Sequence, residues 1–517
     1  MSPYRLETLL QPQIYPEPTR TVHHLQTHIS HLFLTDGFVY KLKKAVDFGF
    51  LDFTTLEKRR HFCHEELRLN RRFSPDIYLD VVELRDDGTG GLCFGGDGAV
   101  LEYAVKMRRL PEERMMGRLL DDGQVSGDDI EAIARVVARF HAEAATGQRI
   151  SSFGSLDALR ANWLENLRQT LPYCGRTLSD ADHRLIGDWA LSMLDRRAER
   201  FEARLQGGFI RECDGDLHSE NICLDQQVHI FDCIEFNETF RNSDTAADVA
   251  FLAMDLENHG RRDLAEQFVD VYCQESGDNG LRSVLPVYLV NRAFIRGKVE
   301  SFRLDDVQIP DAEKQAAAVR AGRFFRLARG YVLRHCLPLT LLLTCGPTGC
   351  GKSALATELS FQLGLAHLQA DRERKQLAGL QPTERNARIY TRQWNKATYQ
   401  RLAELAGLEL SSGRSVLVDA TFRRRADREH FAQLAAANGA RLIILQMDCP
   451  PELVRQRLEQ REQTAVSVSD GTWQVYQRQI AGFEPPDPAE GGLIRLDAEQ
   501  PVQMMAEQVL LEMGLFG

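Results

Sequence analysis

The chain has 517 residues, 43% of them hydrophobic and 26% charged, the balance of a soluble globular protein. That length exceeds one ordinary core and predicts two to four domains. A formal net charge of −11 gives no bulk electrostatic reason to bind nucleic acid or an anionic membrane. The longest apolar run, Leu337 to Cys345, is strand-sized and too short for a bilayer. Met1 to Arg20 lacks the basic region and apolar stretch of a secretory signal. The eleven cysteines contain no CxxC pair, which fits a reducing compartment. These features predict a cytoplasmic protein with no membrane partner and no identifiable protein partner.

The first predicted elements are strand-like material at Leu32 to Leu42 and a long helix from Thr55 to Phe73. Strands follow near Tyr78 to Leu84 and Val100 to Met107, with Gly-rich Asp86 to Gly98 as a loose hairpin turn between them. Beyond Asp128 the pattern turns helical, with Ile130, Ile133, Ala134, Val137 and His141 at helical spacing. A short strand pair at Asn221 to Cys233 interrupts it. Strands first and helices later predict an α+β, two-lobed arrangement.

Three stretches of this half carry chemistry. In Phe38-Val39-Tyr40-Lys41, strand alternation puts Val39 and Lys41 on one face, as an adenine ceiling and a phosphate-binding lysine would be. On the following helix Phe62, Glu66, Leu69 and Phe73 form a stripe, and Glu66 is its only acid. Either Glu66 pairs with Lys41, or it is an exposed acid on an ordinary amphipathic helix and Glu65 or Lys43 takes the part. The third stretch is Cys213-Asp214-Gly215-Asp216-Leu217-His218-Ser219-Glu220-Asn221. Asp216 and Asn221, four residues between them, have the spacing of kinase catalytic loops. There the aspartate accepts the acceptor's proton and the asparagine reaches Mg²⁺. Asp232 then supplies a second metal carboxylate. His61, Cys63 and His64 diverge across a helix and read as structural. Cys213, Cys223 and Cys233 read as small buried residues.

On these residues, with Asp244 and Asp248-Val249-Ala250-Phe251-Leu252, the region resembles the aminoglycoside phosphotransferase and choline kinase-like family. The resemblance implies a two-lobed protein-kinase-like fold with ATP and Mg²⁺ as cofactors. One departure stands out: the family reads His-Gly-Asp where this chain has Asp214-Gly215-Asp216. A second carboxylate there is expected to raise the pKa of Asp216 or to draw in metal.

The polar stretch Arg303 to Pro310 leads into an Ala- and Arg-rich helical segment, Asp311 to His335. Cys336-Leu337-Pro338 ends it, and Leu339 to Leu343 looks like a buried parallel strand. The expected domains are therefore 1–335 and 336–517. The second opens with Gly346-Pro347-Thr348-Gly349-Cys350-Gly351-Lys352-Ser353, a GxxxxGKS phosphate-binding loop between a strand and a helix. Its glycines let backbone N–H groups close around a phosphate, Lys352 reaches the β- and γ-phosphates, and the Ser353 hydroxyl ligates Mg²⁺.

Strands at Ala366 to Ala370, Ser415 to Thr421 and Leu442 to Met447 alternate with helices, the pattern of an open α/β sheet. Asp371, at the end of the first, is either the base for an acceptor hydroxyl or the cap of the next helix. Arg374 is placed to hold an anionic group of the acceptor. Arg457 and Arg461 share one helix face, which is either a clamp on the transferring phosphoryl group or a solvated face laced with Glu459 and Glu462. These residues resemble small P-loop kinases that phosphorylate hydroxyls: polynucleotide 5′-kinases, gluconate-type kinases and zeta-toxin-like kinases. Asp371-x-x-Arg374 is similar to the polynucleotide branch, as are Glu452-Leu453-Val454-Arg455 and Thr464-Ala465-Val466 to its lid. Asp419 falls where such kinases carry a strand-end acid for the metal.

The fold expectation is thus a multidomain α+β and α/β protein, a kinase-like domain followed by a P-loop NTPase fold with a parallel sheet. The activity expected is ATP-dependent phosphotransfer, bifunctional, to small-molecule or nucleotide hydroxyls. Two alternatives remain open: a nucleic-acid 5′ end as acceptor of the second domain, and a first domain that is a regulatory, nucleotide-binding pseudokinase.

Overall fold

The structure, a computed structural model, describes residues 6–49, 51–86, 91–307, 309–381, 384, 386–464 and 471–515. It divides into two compact units, Met1–Ala328 and Arg329–Gly517.

Unit 1 opens on a six-stranded antiparallel sheet made of β1 (His23–Gln26), β2 (Ser30–Leu34), β3 (Phe38–Lys43), β4 (Tyr78–Asp86), β5 (Leu92–Phe94) and β6 (Val100–Arg108). Their order is β1-β2-β3-β6-β4-β5. The run Leu32 to Leu42, expected as one piece of strand, is the β2–β3 hairpin. Thr35-Asp36-Gly37 turns it, and the Phe38 N–H donates to the Thr35 hydroxyl at 3.0 Å. The Gly-rich stretch expected as a loose turn contains β5, paired with the end of β4. Along β3, Tyr40 and Leu42 are fully buried against Leu9, Ile14, Tyr15, Phe33 and Phe94. Alternation then sends Val39, Lys41 and Lys43 to the opposite face.

Helix α1 (Leu56–Asn70) starts where the Thr55 hydroxyl accepts the Lys58 N–H. It buries Arg59, Cys63, Glu66 and Asn70, one polar stripe at helical spacing, because partners wait for each of these groups. After β6 the unit is mainly helical. Helix α2 (Gly127–Glu143) carries a Ser126/Asp129 capping box and buries Ile130, Ile133, Ala134, Val137 and His141, as their spacing predicts. The strands β7 (Ile210–Glu212) and β10 (Asn242–Asp244) pair, and between them lies the hairpin of β8 (Ile222–Leu224) and β9 (Val228–Ile230). Helix α3 (Thr245–Asn258), buried over most of its length, and α4 (Leu281–Phe302) pack behind them. Helix α5 (Asp311–Arg334) carries the chain across the division into unit 2.

Unit 2 is a five-stranded parallel sheet in the order β12-β13-β11-β14-β15. The strands are β11 (Thr340–Cys345), β12 (Ala366–Gln369), β13 (Val416–Asp419), β14 (Arg441–Asp448) and β15 (Gly492–Asp497). Every residue of β11 is buried, as expected for the centre of a parallel sheet. Each of Leu341, Leu342 and Leu343 contributes about 1.5–3 kcal/mol relative to exposure. The crossover helices are α6 (Lys352–Leu363), α7 (Ala370–Leu377), α8 (Arg392–Ser411), α9 (Arg425–Ala437), α10 (Pro451–Thr464), α11 (Trp473–Ile480) and α12 (Val502–Glu512). One expectation needs correction: β12 ends at Gln369, so Asp371 lies in the first turn of α7 and not on the strand. Gln369 holds the cap position, so Asp371 is not the cap either. Among the described residues no helix is long and apolar enough to cross a membrane.

Candidate functional site

In unit 1 the open face of β3 points two ammonium groups at one carboxylate. Lys41 Nζ lies 2.8 Å from Glu66 Oε1, and Lys43 Nζ lies 2.7 Å from Glu66 Oε2. Lys41 also pairs with Asp232, and Lys43 with Glu235. Both lysines therefore belong to the network, and Glu66 is buried where an exposed acid was the alternative. Burial alone would raise the Glu66 pKa, but Lys41 and Lys43 outweigh it and hold the carboxyl down at about 2. Lys41 is driven well above its ordinary value because Asp232 and Glu66 overcome the opposing effect of burial. Asp232 follows β9 with φ of 67°, a left-handed backbone uncommon for a non-glycine residue, and its N–H donates to the Tyr78 hydroxyl at 3.0 Å. Such strain persists only where surrounding contacts fix it, and it concentrates at functional sites.

The loop after β7 brings Asp216 and Asn221 together: Asn221 Nδ2 donates to Asp216 Oδ2 at 3.3 Å and to its carbonyl at 3.1 Å. Asp214, two residues before Asp216, is fully buried, and its N–H and that of Gly215 donate to Asp248 at 2.8 and 3.0 Å. His141 of α2 reaches Asp248 Oδ2 at 3.2 Å and the Tyr272 hydroxyl at 2.8 Å. The expectation for the extra carboxylate is reversed. It is Asp214 whose pKa rises well above the carboxylate range, through burial and then Asp248. Asp216 goes down: burial pushes it up, but His218, with Nε2 3.4 Å from Oδ2, and then Arg296 and Arg292 outweigh that. His141, Cys213 and Asp248 are close enough for a shared ion, but His141 and Asp248 already satisfy each other. Cys213, Cys223 and Cys233 are buried thiols pushed upward by burial, as expected of small core residues.

In unit 2 the loop Gly346 to Ser353 joins β11 to α6. Gly349 has φ of 82°, and a Cβ there would lie 2.9 Å from Val454, so only glycine fits both backbone and space. Lys352 is buried and donates to the Pro347 carbonyl at 2.6 Å. The Thr348 N–H donates to Gln479 Oε1 of α11 at 2.7 Å. Asp419, ending β13, accepts from the Thr344 hydroxyl at 3.1 Å and lies 3.6 Å from His367. Burial raises its pKa, yet His367, Lys352 and Ser353 bring it below the usual range, so it is an ionised carboxylate beside the loop.

Asp371 and Arg374 face the same cavity of about 2060 Å³ as Lys352, Ser353 and Asp419. Arg374 donates to Asp371 at 2.5 Å and to Asn395 at 3.2 Å, under the Tyr390 ring at 4.7 Å. Arg461 lines this cavity. Arg457 does not: it donates to the Ala498 carbonyl at 2.7 Å, and its guanidinium backs Gly351 of the loop. Of the lid resemblance, residues 465–466 lie outside the described residues. The motifs missed Gln479, His367, Asn395 and Tyr390. They also passed over Arg423 and Arg424 beyond β13, although the basic run Arg423-Arg424-Arg425 was a visible signal.

Residues 50–286 match the model of the phosphotransferase enzyme family, and residues 341–486 that of an AAA domain. An uncharacterized protein of Mycobacterium tuberculosis and one of Mycobacterium bovis are each 30% identical over 456 residues, 87% of this chain and 88% of theirs. The chain belongs to their family. In this chain a phosphotransferase domain is fused to a P-loop kinase domain, as the motif resemblance implied, and the chain is an ATP-dependent kinase. Solved structures similar to 34% of the chain include a sugar kinase from a Janibacter species, at 21% identity over 96% of that protein with a TM-score of 0.27. Another is a gluconokinase from Sinorhizobium meliloti, at 18% identity over 92% of that protein with a TM-score of 0.26.

Proposed function

We propose that both units transfer the γ-phosphate of ATP to hydroxyl groups, each at its own site, with small molecules or nucleotides as acceptors. The observation that carries the reading is one convergence in unit 2. Lys352 after β11, Asp371 after β12 and Asp419 at the end of β13 line a single cavity at the carboxyl ends of adjacent parallel strands. Main-chain amides of Thr348 to Lys352 cradle the phosphates, and Lys352 leaves the Pro347 carbonyl to bind them. Asp371 accepts the proton of the attacking hydroxyl. Arg461 offsets the charge that develops on the transferred group. Arg457, committed to Ala498, acts by buttressing the loop.

In unit 1 Asp216 is the base, and the charged partners that lower its pKa keep it ready to accept a proton at neutral pH. Lys41 orients the phosphates, and Glu66 fixes Lys41. Oxygen donors suited to Mg²⁺ stand at both sites, Ser353 and ionised Asp419 in one, Asn221 and the half-exposed Asp232 in the other. Bound there, Mg²⁺ would neutralise charge on the phosphate oxygens.

Two other readings have an observation each. The arginine beside Asp371 favours a polynucleotide 5′-hydroxyl as the acceptor of unit 2. The buried acid Asp214, where related kinases carry histidine, favours a unit 1 that binds nucleotide and regulates. Phosphoryl transfer from labelled ATP, screened over metabolites and 5′-hydroxyl oligonucleotides, separates them. Lys352→Ala should remove one acceptor activity and Asp216→Ala another; loss of everything in Lys352→Ala alone would leave only the regulatory reading for unit 1.

A further inference from the structure

The chain is acidic overall, yet eight basic side chains and only three carboxylates line the cavity of unit 2. Three of the basic groups have work in the proposed transfer: Lys352 and Arg461 at the phosphates, and Arg374 on Asp371. Five remain: Arg392 and Lys396 on α8, Arg423 and Arg424 beyond β13, and Arg478 on α11. Among the described residues none of Arg392, Lys396, Arg423 and Arg424 forms an ion pair. Asp427 in the cavity wall is the carboxylate whose pKa burial raises against the pull of Arg424 and Arg423. Glu484, which accepts the Arg425 N–H at 2.7 Å, lies beside the same turn, so the basic groups still outnumber the acids there.

The backbone beneath Arg423 and Arg424 is held at a cost. Phe422 has φ of 40°, in the left-handed region, and is fully buried. Its N–H donates to the Tyr399 hydroxyl at 3.1 Å, and its carbonyl accepts from Arg428 at 2.8 Å. Arg428 is itself buried and paired with Glu490 at 2.7 Å. A strained turn fixed this firmly aims the two arginines after it. Across the cavity Arg374 is anchored through its terminal nitrogens, while its buried Nε lacks a partner. Buried donors are nearly always satisfied, and a ligand is one way to satisfy this one.

We infer that the acceptor of unit 2 carries a phosphate ester near its reacting hydroxyl, bound between Arg374 and the Arg423–Arg424 pair while the hydroxyl meets Asp371. This rests on the P-loop kinase reading and narrows its substrate class. Arginine suits it, since its planar donors match phosphate geometry. A neutral polyol would leave these guanidinium groups without a partner. The phosphate belongs either to a small phosphorylated alcohol or to a nucleic acid with a free 5′-hydroxyl.

The test is calorimetric titration of inorganic phosphate into the full chain saturated with magnesium and a non-hydrolysable ATP analogue, which fills the γ-phosphate position. Saturable binding is expected, and the double substitution Arg423→Glu/Arg424→Glu should weaken it by about tenfold or more, with analogue affinity unchanged. Arg424 is exposed and Arg423 half-buried, so the fold tolerates the change. Analogue binding without phosphate binding, or phosphate binding equal in the variant, overturns the inference and leaves the kinase reading standing. Failure to bind the analogue strikes the kinase reading first. Displacement of phosphate by a small phosphorylated alcohol with shallow salt dependence assigns a metabolite, and displacement by a 5′-hydroxyl oligonucleotide with a steep salt slope assigns nucleic acid. A neutral polyol that displaces phosphate equally well refutes the phosphate requirement.

Discussion

The ammonium of Lys41 sits 2.8 Å from the carboxylate of Glu66, whose other oxygen takes Lys43 at 2.7 Å. Removing one partner from a buried charge network usually costs about 3–5 kcal/mol, because the remaining charges lose compensation. Glu66→Gln should therefore lower the urea midpoint of unit 1 and weaken nucleotide binding there. The pH dependence follows from the depressed pKa. Glu66 titrates near 4.5 when unfolded and at about 2 when folded, so its stabilisation is complete above 4.5 and lost as pH falls toward 2. Denaturation curves across that window should show a shallower acid loss in Glu66→Gln than in the wild type. Equal slopes would mean the carboxylate is not held by the lysines.

Asp214 titrates with the opposite sign. Its folded pKa lies well above the unfolded 3.8, so the folded state holds the proton more tightly. Stability from that proton is present below 3.8 and declines as pH rises above it. Asp214→Asn keeps the shape and removes the titration. The variant should match the wild type near pH 3 and exceed it at pH 7 by about 1 kcal/mol or more. A variant less stable at pH 7 would show that Asp214 is an ionised, needed anion.

The features legible in the sequence were those whose geometry is local. Gly346 to Ser353 encodes a phosphate-binding backbone in consecutive residues, and Asp216 with Asn221 encodes one loop. The Lys41 face followed from strand alternation. What stayed hidden needed distant elements to meet. Asp248 meets both His141 and the Asp214 N–H only because α2 and α3 each pack against the helix Arg262–Ser276, and Gln479 is 131 residues from the Thr348 amide it accepts from. Helical spacing put Arg457 and Arg461 on one face but held no sign of the Ala498 carbonyl that takes Arg457. The strand β15 follows Gly491 and itself opens on Gly492, so its pattern was too weak to read. Asp371 moved from strand to helix through an end placed a single residue late.

The contact between Thr348 and Gln479 puts a neutral side-chain oxygen on an amide of the phosphate-binding loop. A phosphate oxygen seated at that amide must displace it. A neutral hydrogen bond is worth about 1 kcal/mol net, so Gln479→Ala should bind ADP several-fold more tightly in a fluorescence titration. Weaker binding would instead make Gln479 a direct ligand of the nucleotide.

Asp371 offers the sharpest separation of chemistry from structure. Its carboxylate accepts from Arg374 at 2.5 Å, and asparagine keeps an oxygen for that contact while losing basicity. If Asp371 takes the acceptor's proton, Asp371→Asn should lower kcat by about 10²–10⁴-fold with the KM values for ATP and acceptor nearly unchanged. Arg374→Ala should do the reverse, raising the acceptor KM more than it lowers kcat, because its buried guanidinium then leaves the acceptor's anion unpaired. Should Asp371→Asn raise the acceptor KM and spare kcat, the carboxylate positions Arg374 and the base lies elsewhere. In that event Asp419 is a poor substitute, since it is the carboxylate placed to hold Mg²⁺ and it already accepts from the Thr344 hydroxyl.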